Sequence, residues 1–564
     1  MPVSSRLLII GTSLAMVANT FAADNPDSGR LLRESAPPPM LKPQEQAPKI
    51  VPPLQPKEVP SRGVRVTVTG FTFTGNTVFT NEELSAILAD YLGRELTLAE
   101  LNAAAAEITK AYQARGFFLA SAFVPPQTIK TDAPVVIQII EGVLEKVRLD
   151  TKPAETRTPY TLFQRYVDRV PTGKPADEKT ISDMVMRINE LPGITSRILI
   201  EPGTQQGAAK AVLEVTEGKP CSISLDTDNY GSYSTGYYRI GSTLELYSPL
   251  HRGDLFTVRA QTSLSGDTQT VQAGYTLPVS GSGAKVGFNY SFVTYQLGGS
   301  FKPLNASGNA HDLSLTISQP VIRSRNMILN LSVGGEGRML DDRTGSTGLI
   351  NQRHTAAGQA GISGVQMDTL LGGGSTAFSI NYSGGFVGID DQTMLTNDQS
   401  ATGMHTDGGY NKVAMSLSRN QNLYKSLSLY TGANGQWASA NLDSSEQFSL
   451  GGPSAVRAFS VSELSCDSGL VYTAELRYLI GSLGPLPGSL QFAGFFDYGH
   501  AVLHVDPITP DNTRDLSGAG LGVGWSDADS FSVRTSVAWR IAGTAIGQSE
   551  MTYPTVYFQM VKRF

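Results

Sequence analysis

The chain has 564 residues, too many for one hydrophobic core, so several domains are expected. Charged residues make up only 17% and the net charge is −6, which excludes the basic surface that a nucleic-acid binder needs. Glycine is abundant (58), Phe and Tyr (22 and 21) far outnumber Trp (3), and past the N-terminus no apolar run reaches the ~18 residues of a membrane helix. That combination suits a membrane β-barrel, whose strands hide their apolar face by alternation.

Residues 1–22 read as a secretory signal: Arg6 supplies the positive start, Leu7 to Val17 the apolar stretch, and Thr20-Phe21-Ala22 the small-residue cleavage site. Residues 23–63 form a Pro-rich linker, with Pro37-Pro38-Pro39, Pro52-Pro53 and further prolines favouring extended geometry. A short helix over Ser28–Ser35 is compatible with Leu31 and Leu32, but so short a helix is marginal unless it docks. The two cysteines, Cys221 and Cys466, lie 245 residues apart without a CxxC, so no zinc site is expected. An oxidising compartment permits a disulfide; two unpaired thiols are the expectation.

Residues 64–142 and 143–218 carry the same pattern twice. In the first, Val64, Val66 and Val68 alternate as a strand, Leu84, Ile87, Leu88 and Tyr91 mark one helix face, and Leu101, Ala104, Ile108 and Tyr112 mark another that ends at Gly116. Strands Ala120–Val124 and Val135–Ile140 close on Glu141-Gly142. The second unit runs through strand Val143–Leu149, helices Tyr160–Val170 and Ile181–Leu191 ending at Gly193, and strands Ser196–Ile200 and Ala211–Val215, closing on Glu217-Gly218. The closing glycines are 76 residues apart and the helix-end glycines 77, which points to tandem duplication of a β-α-α-β-β unit.

Residues 219–564 alternate throughout. Val286, Phe288, Tyr290 and Phe292 form one stripe; Met327, Leu329, Leu331 and Val333, then Phe378, Ile380 and Tyr382, then Phe531, Val533, Val537, Trp539 and Ile541 form others. A soluble sandwich would also show one apolar face, but here the opposite face is Ser, Asn, Gly and Arg rather than a second apolar surface. At about 20 residues per strand and connection, this segment holds roughly sixteen or seventeen antiparallel strands, and an even number is expected. The chain ends on Phe564, where outer-membrane barrels carry an aromatic assembly signal. His251, beside Arg252-Gly253-Asp254, reads as a solvated turn residue.

Four features in this order resemble the two-partner secretion transporters, the family of haemolysin and filamentous haemagglutinin secretion proteins within the outer-membrane insertase superfamily. They are the Pro-rich leader followed by two repeats and a barrel; Asp228-Asn229-Tyr230-Gly231 with Thr235-Gly236-Tyr237-Tyr238-Arg239, similar to the first-strand hairpin; Val456-Arg457-Ala458-Phe459, similar to the sixth-loop motif; and Phe495-Phe496-Asp497-Tyr498-Gly499, similar to the barrel-wall strand after it. Three positions depart from the pattern. Ala458 stands where the family has Gly, putting a left-handed tip in question; Cys466-Asp467-Ser468-Gly469 stands at the acidic-Gly element; and Lys562 replaces an apolar residue near the end.

The resemblance implies two periplasmic α+β POTRA domains before a membrane β-barrel of about 16 antiparallel strands, with Ser28–Ser35 in the place of a plug helix. It implies export of a large partner exoprotein (a haemolysin, adhesin or contact-dependent toxin) captured by the POTRA domains, with outer-membrane lipid and the barrel assembly machinery as further partners. It also sets the loop Arg457 against Asp497, with Val456 and Phe459 flanking. Strand parity agrees, since Phe492, Phe496 and Tyr498 fall on one face and Asp497 on the other with Phe495. Gly518, Gly520, Gly522 and Gly524 share the inward face of the next strand and leave room for an inserted loop. A solvated loop arginine and a merely bent glycine strand are the plainer alternatives. An assembly insertase is the rival function; a passive porin would not need the periplasmic repeat. Neither GxSxG, HExxH, a P-loop nor a metal-spaced Cys/His cluster occurs, so no catalytic residue, cofactor or metal is expected.

Overall fold

The computed structural model of the chain describes residues 26–35, 65–128, 133–151, 156–205, 207–461, 463–481, 487–507, 510–527, 530–544 and 553–564. The segment expected to be a secretory signal (1–22) and most of the expected Pro-rich linker lie outside them.

The first periplasmic unit is a three-stranded sheet covered by two helices. Its order is Phe71–Thr74, Val135–Ile140, Ser121–Phe123, the first two strands parallel and the last two antiparallel. The expected strand at Val64–Val68 is displaced from that role. Arg65–Thr67 instead pairs with Glu95–Thr97 in a separate two-stranded ladder, because Phe71 and Phe73 carry the bulk that fills the core. Helix Asn81–Ile87 starts on a capping box in which Thr80 and Glu83 satisfy each other's backbone N–H. Its stripe then tightens into a 3₁₀ turn at Ala89–Tyr91 rather than continuing as α-helix. Helix Leu98–Ala114, capped by Thr97 and Glu100, buries Leu101, Ala104, Ile108 and Tyr112, and ends before Gly116 in the left-handed region.

The second unit repeats this topology with strands Val143–Asp150, Ala208–Glu217 and Ile194–Pro202 in sheet order, beneath helices Tyr160–Val167 and Glu178–Asn189. The repeated Glu-Gly marker has a physical cause. Glu141 accepts hydrogen bonds from the Thr77 and Val78 amides (2.5 and 2.8 Å), the Thr77 hydroxyl and the Tyr112 hydroxyl (2.8 Å). Glu217 accepts from the Arg157 amide (2.5 Å) and the Thr158 hydroxyl (3.1 Å). In each unit the carboxylate leaving the last strand holds the loop that enters the first helix.

Burial pushes the Glu141 carboxyl up, but the donors from Thr77, Val78 and Tyr112 outweigh it and hold it below the usual carboxylate range. A folded-state value below the unfolded one gives stability that is complete above the ordinary glutamate value of ~4.3 and is lost as pH falls through the folded value. A fragment spanning 65–218 should therefore unfold cooperatively in acid. Glu141→Gln, which strands buried donors, should cost about 1–3 kcal/mol at neutral pH and flatten the acid limb, read by denaturant melts between pH 3 and 7.

The second unit is docked on the periplasmic turns of the barrel. Glu190 pairs with Arg323 and with Lys285 (3.7 Å), Glu178 pairs with Arg325 (2.7 Å), and the Arg187 guanidinium donates to the carbonyls of Ser282 and Pro320. His251 is exposed in a left-handed turn, as expected, and its Nδ1 lies 2.9 Å from the Arg157 carbonyl, so the turn also borders this junction.

Sixteen antiparallel strands, from Cys221–Asp228 to Thr555–Arg563, close into one barrel. No helix among the described residues is long and apolar enough to cross a membrane; the strands do so. Outward positions such as Phe288, Ile317, Val333, Ile380 and Leu521 are exposed, as a lipid-facing wall requires, while Arg259, Asp497 and Gln559 on the other face are buried. The final strand stops at Arg563, and the Phe564 amide donates to the Ile223 carbonyl (2.8 Å) across the closure. Both cysteines are free: Cys221 starts the first barrel strand and Cys466 is buried with the inserted loop.

Candidate functional site: the filled lumen

The sixth extracellular loop, 439–467, folds back into the barrel instead of out into solvent. Leu450, Val456, Ala458, Phe459, Leu464 and Cys466 pack with the wall residues Val471, Phe495, Leu516 and Ala538 in one buried cluster. Gly452 takes the left-handed conformation that the loop requires (φ 114°). Ala458 does not need it, which resolves the departure from the family's Gly: the tip turns with an ordinary backbone. A Cβ on Gly518 would come within 2.4 Å of the Ala458 Cβ, so the glycine strip makes room at that point for the loop. At Gly520 the crowding comes instead from the Phe495 ring and the Val537 carbonyl.

The structure brings Arg457 onto Asp497. Nε and Nη2 donate to the two carboxylate oxygens at 2.8 and 2.7 Å, and the Arg457 amide adds a third bond at 3.1 Å. Nη1 reaches Glu475 (2.5 Å), which Arg477 also pairs (2.6 Å), and Thr473 donates to Asp497 (2.9 Å). The guanidinium lies 3.4 Å from the centroid of the Phe495 ring. Asp497 is fully buried, and a carboxylate there is tolerable only because the planar fork satisfies it. Val456 and Phe459, on either side, are buried and fix the loop through their side chains.

Sequence reasoning missed a second hold on the same tip. The Ala458 carbonyl accepts from Arg540 Nε (3.1 Å) and the Thr555 hydroxyl (3.0 Å), and the Phe459 carbonyl accepts from the Tyr557 hydroxyl (2.7 Å). The inward parity of these three residues on the last two strands was the available signal.

Helix Ser28–Glu34 lies inside the barrel, between wall and loop. Asp27 caps it by accepting from the Arg30 amide (2.9 Å), and Leu31 packs on Val293, Tyr295 and Leu297. The Ser28 amide and hydroxyl both donate to Asp342 (2.9 Å each), and Arg33 donates to the Gln447 carbonyl. Gly29 is pressed against the loop, where a Cβ would meet Ser444 Oγ at 2.6 Å. One arginine joins all three elements: Arg353 contacts Asp342 of the wall (2.6 Å), Asp443 of the loop (2.6 Å) and Asp27 of the helix (3.1 Å). Beside the helix, bordered by its Leu32 and Arg33, remains a cavity of about 550 Å³ whose further lining includes Asp226, Arg259, Gln272, Asp312 and Arg338.

The first hairpin closes against the helix end. Arg239 forks onto Asp228 (2.8 and 3.2 Å) and also donates to the Glu34 carbonyl (3.2 Å). Gly231 has no room for a side chain, since a Cβ would lie 1.9 Å from the Gly236 carbonyl; Gly236 itself is left-handed (φ 94°). Thr235 is buried against Ser232 (2.8 Å), and Asn229 reaches the closing strand. The first hairpin and the loop tip beside Arg457 both reach the start of the last strand, Thr555–Phe558, while Phe564 lies at its other end.

Residues 207–525 match the model of the family described as haemolysin secretion/activation protein ShlB/FhaC/HecB, and residues 66–142 match the ShlB-type POTRA domain. The chain belongs to this family. It is an outer-membrane transporter of the two-partner secretion type, with its POTRA domains in the periplasm, and this supports export over the insertase alternative. It is similar to the heme/hemopexin transporter protein HuxB of Haemophilus influenzae, 28% identical over 468 residues that cover 81% of this chain and 80% of that protein. The outer membrane transporter CdiB of Escherichia coli O6:K15:H31 is 24% identical over 551 residues, 92% of this chain and 86% of the relative. The solved structure of CdiB from Escherichia coli covers all of both chains with a TM-score of 0.69 at 22% identity, a likeness of fold.

Proposed function

We propose that this transporter captures one large exoprotein through the N-terminal secretion domain of that client, and passes it through the barrel lumen while Ser28–Glu34 and the 439–467 loop gate the path. The observation that carries this reading is that helix and loop together occupy the lumen of a barrel whose periplasmic mouth holds the second POTRA unit. A diffusion pore has no use for either feature. In this reading the chain divides into a signal (1–22), a linker with plug helix (23–63), two POTRA domains (64–142 and 143–218) and the barrel (219–564). The client belongs to the haemolysin, adhesin or contact-dependent toxin class. Its extended backbone adds to a POTRA sheet edge, where main-chain hydrogen bonds give affinity without demanding a particular side-chain sequence. Folding of the client outside the cell supplies the drive. The barrel assembly machinery inserts the chain through its C-terminal Phe564, and outer-membrane lipid covers the outward wall.

A fragment spanning 65–218 should fold and bind the secretion domain of the client. Separate hydrophobic cores in the two units support such a fragment. Calorimetry or anisotropy checks the affinity; a folded fragment without detectable binding at high micromolar concentration would remove the recruitment role.

A further inference from the structure

We infer that Asn229 is the clasp of the barrel seam, its side-chain amide standing in for missing backbone where the first and last strands part. The ladder between these strands covers five residue pairs, from Asp228–Gln559 to Ser224–Arg563, and is the shortest in the closed sheet among the described residues. Beyond Asp228 the first strand turns away: the Tyr230 amide donates to the Asp228 carboxylate (2.9 Å) and the Gly231 amide to the Tyr237 carbonyl (3.0 Å). The last strand continues in the other direction through Phe558 to Thr555, paired on one side only with Phe531–Ala542. Its other edge would present unpaired peptide groups in the barrel wall, where a closed barrel leaves no free edge.

Asn229 fills that edge. Its amide donates to the Phe558 carbonyl (3.3 Å), its Nδ2 donates to the Val556 carbonyl (2.8 Å), and its Oδ1 accepts from the Phe558 amide (2.8 Å). The side-chain oxygen stands in for the carbonyl of residue 229 and the side-chain nitrogen for the N–H of residue 231, the two groups that a continuing antiparallel partner would have turned to this edge. The side-chain orientation is fixed by chemistry, because a carbonyl must receive a donor and an N–H must give one. Asp would keep the bond from Phe558 and set a carboxylate against the Val556 carbonyl; Ala would lose both.

The alternate residues of the same stretch are held from inside by the loop tip, through Thr555 on the Ala458 carbonyl and Tyr557 on the Phe459 carbonyl. The Tyr230 and Tyr557 rings meet across the seam with centroids 5.8 Å apart. Asn229 is therefore a positioning residue: it keeps the closing strand in register so that the loop anchors and the lumen stays bounded. The inference concerns closure of the wall and stands whatever the client is.

The test is the temperature at which the folded, fast-migrating band of purified full-length protein is lost on semi-native gels. Asn229→Ala should lower it by several degrees and Asn229→Asp by less, while a disulfide between Thr227→Cys and Met560→Cys, an outward ladder pair, should restore it in a Cys221→Ser background. Arg457→Ala, measured beside them, should not be restored by that disulfide, which separates a seam defect from a loop defect. An Asn229→Ala transition at the wild-type temperature, or one lowered but not recovered by the disulfide, overturns the clasp. Where Asn229→Ala fails to assemble, Asn229→Asp decides: a wild-type transition there overturns the inference as well.

Discussion

Arg457→Ala and Asp497→Ala should each reduce secretion of the partner at matched outer-membrane levels, and the double variant should lose no more than either single one. Removing the arginine leaves Asp497 and Glu475 in a confined lumen without their shared fork. Stranding a buried charge costs about 3–5 kcal/mol, less where water enters the pore. The residues act as a unit, so their losses should not add. The barrel should still assemble, because Arg540, Thr555 and Tyr557 keep their own hold on the carbonyls of Ala458 and Phe459. Arg457→Lys should restore little, since one ammonium cannot make two in-plane bonds to Asp497 and a third to Glu475. Quantifying secreted client in all variants decides the matter: wild-type export from both alanine variants would reduce the pair to a structural contact.

The barrel was legible because a wall between lipid and a polar lumen imposes a period of two on every strand, and parity alone put Asp497 inside. The repeat was legible for a similar reason: Glu141 and Glu217 perform the same task on the same loop, so the marker recurs at the spacing of the fold. What failed to show were partnerships between inward residues far apart in the chain. Arg353, Asp443, Asp342 and Asp27 are each unremarkable in sequence, and only the seating of helix and loop brings them together. Local strength also misled at Val64–Val68. Its alternation is cleaner than that of Phe71–Thr74, yet core volume decides which segment joins the main sheet. Ala458 looked like a departure because the family's Gly suggests a left-handed tip. The loop instead places its methyl against Gly518, a residue whose role depends on a strand 60 positions later.

Arg353→Ala should unseat the helix while leaving the loop tip anchored, and the channel should then conduct. In the intact protein this guanidinium is shared by Asp342, Asp443 and Asp27, so one positive charge sits among three carboxylates from wall, loop and helix. Without it those carboxylates face one another, and the helix N-cap loses its charge partner while Ser28 remains on Asp342. A helix of seven residues has little stability of its own, so its position depends on such contacts. A loss of about 2.8 kcal/mol shifts a two-state seating equilibrium a hundredfold, enough to turn a helix seated nearly always into one seated about half the time. Planar-bilayer recordings should show long-lived open levels in Arg353→Ala that are rare in the parent, approaching those of a variant lacking residues 26–35. Export at matched levels should be retained, in contrast to Arg457→Ala, because the Arg457–Asp497 contact is untouched. Closed traces from Arg353→Ala together with open traces from the deletion would mean that Arg33, Leu31 and the Arg239 contact to the Glu34 carbonyl suffice to hold the helix, and that Arg353 is not the point at which it is released.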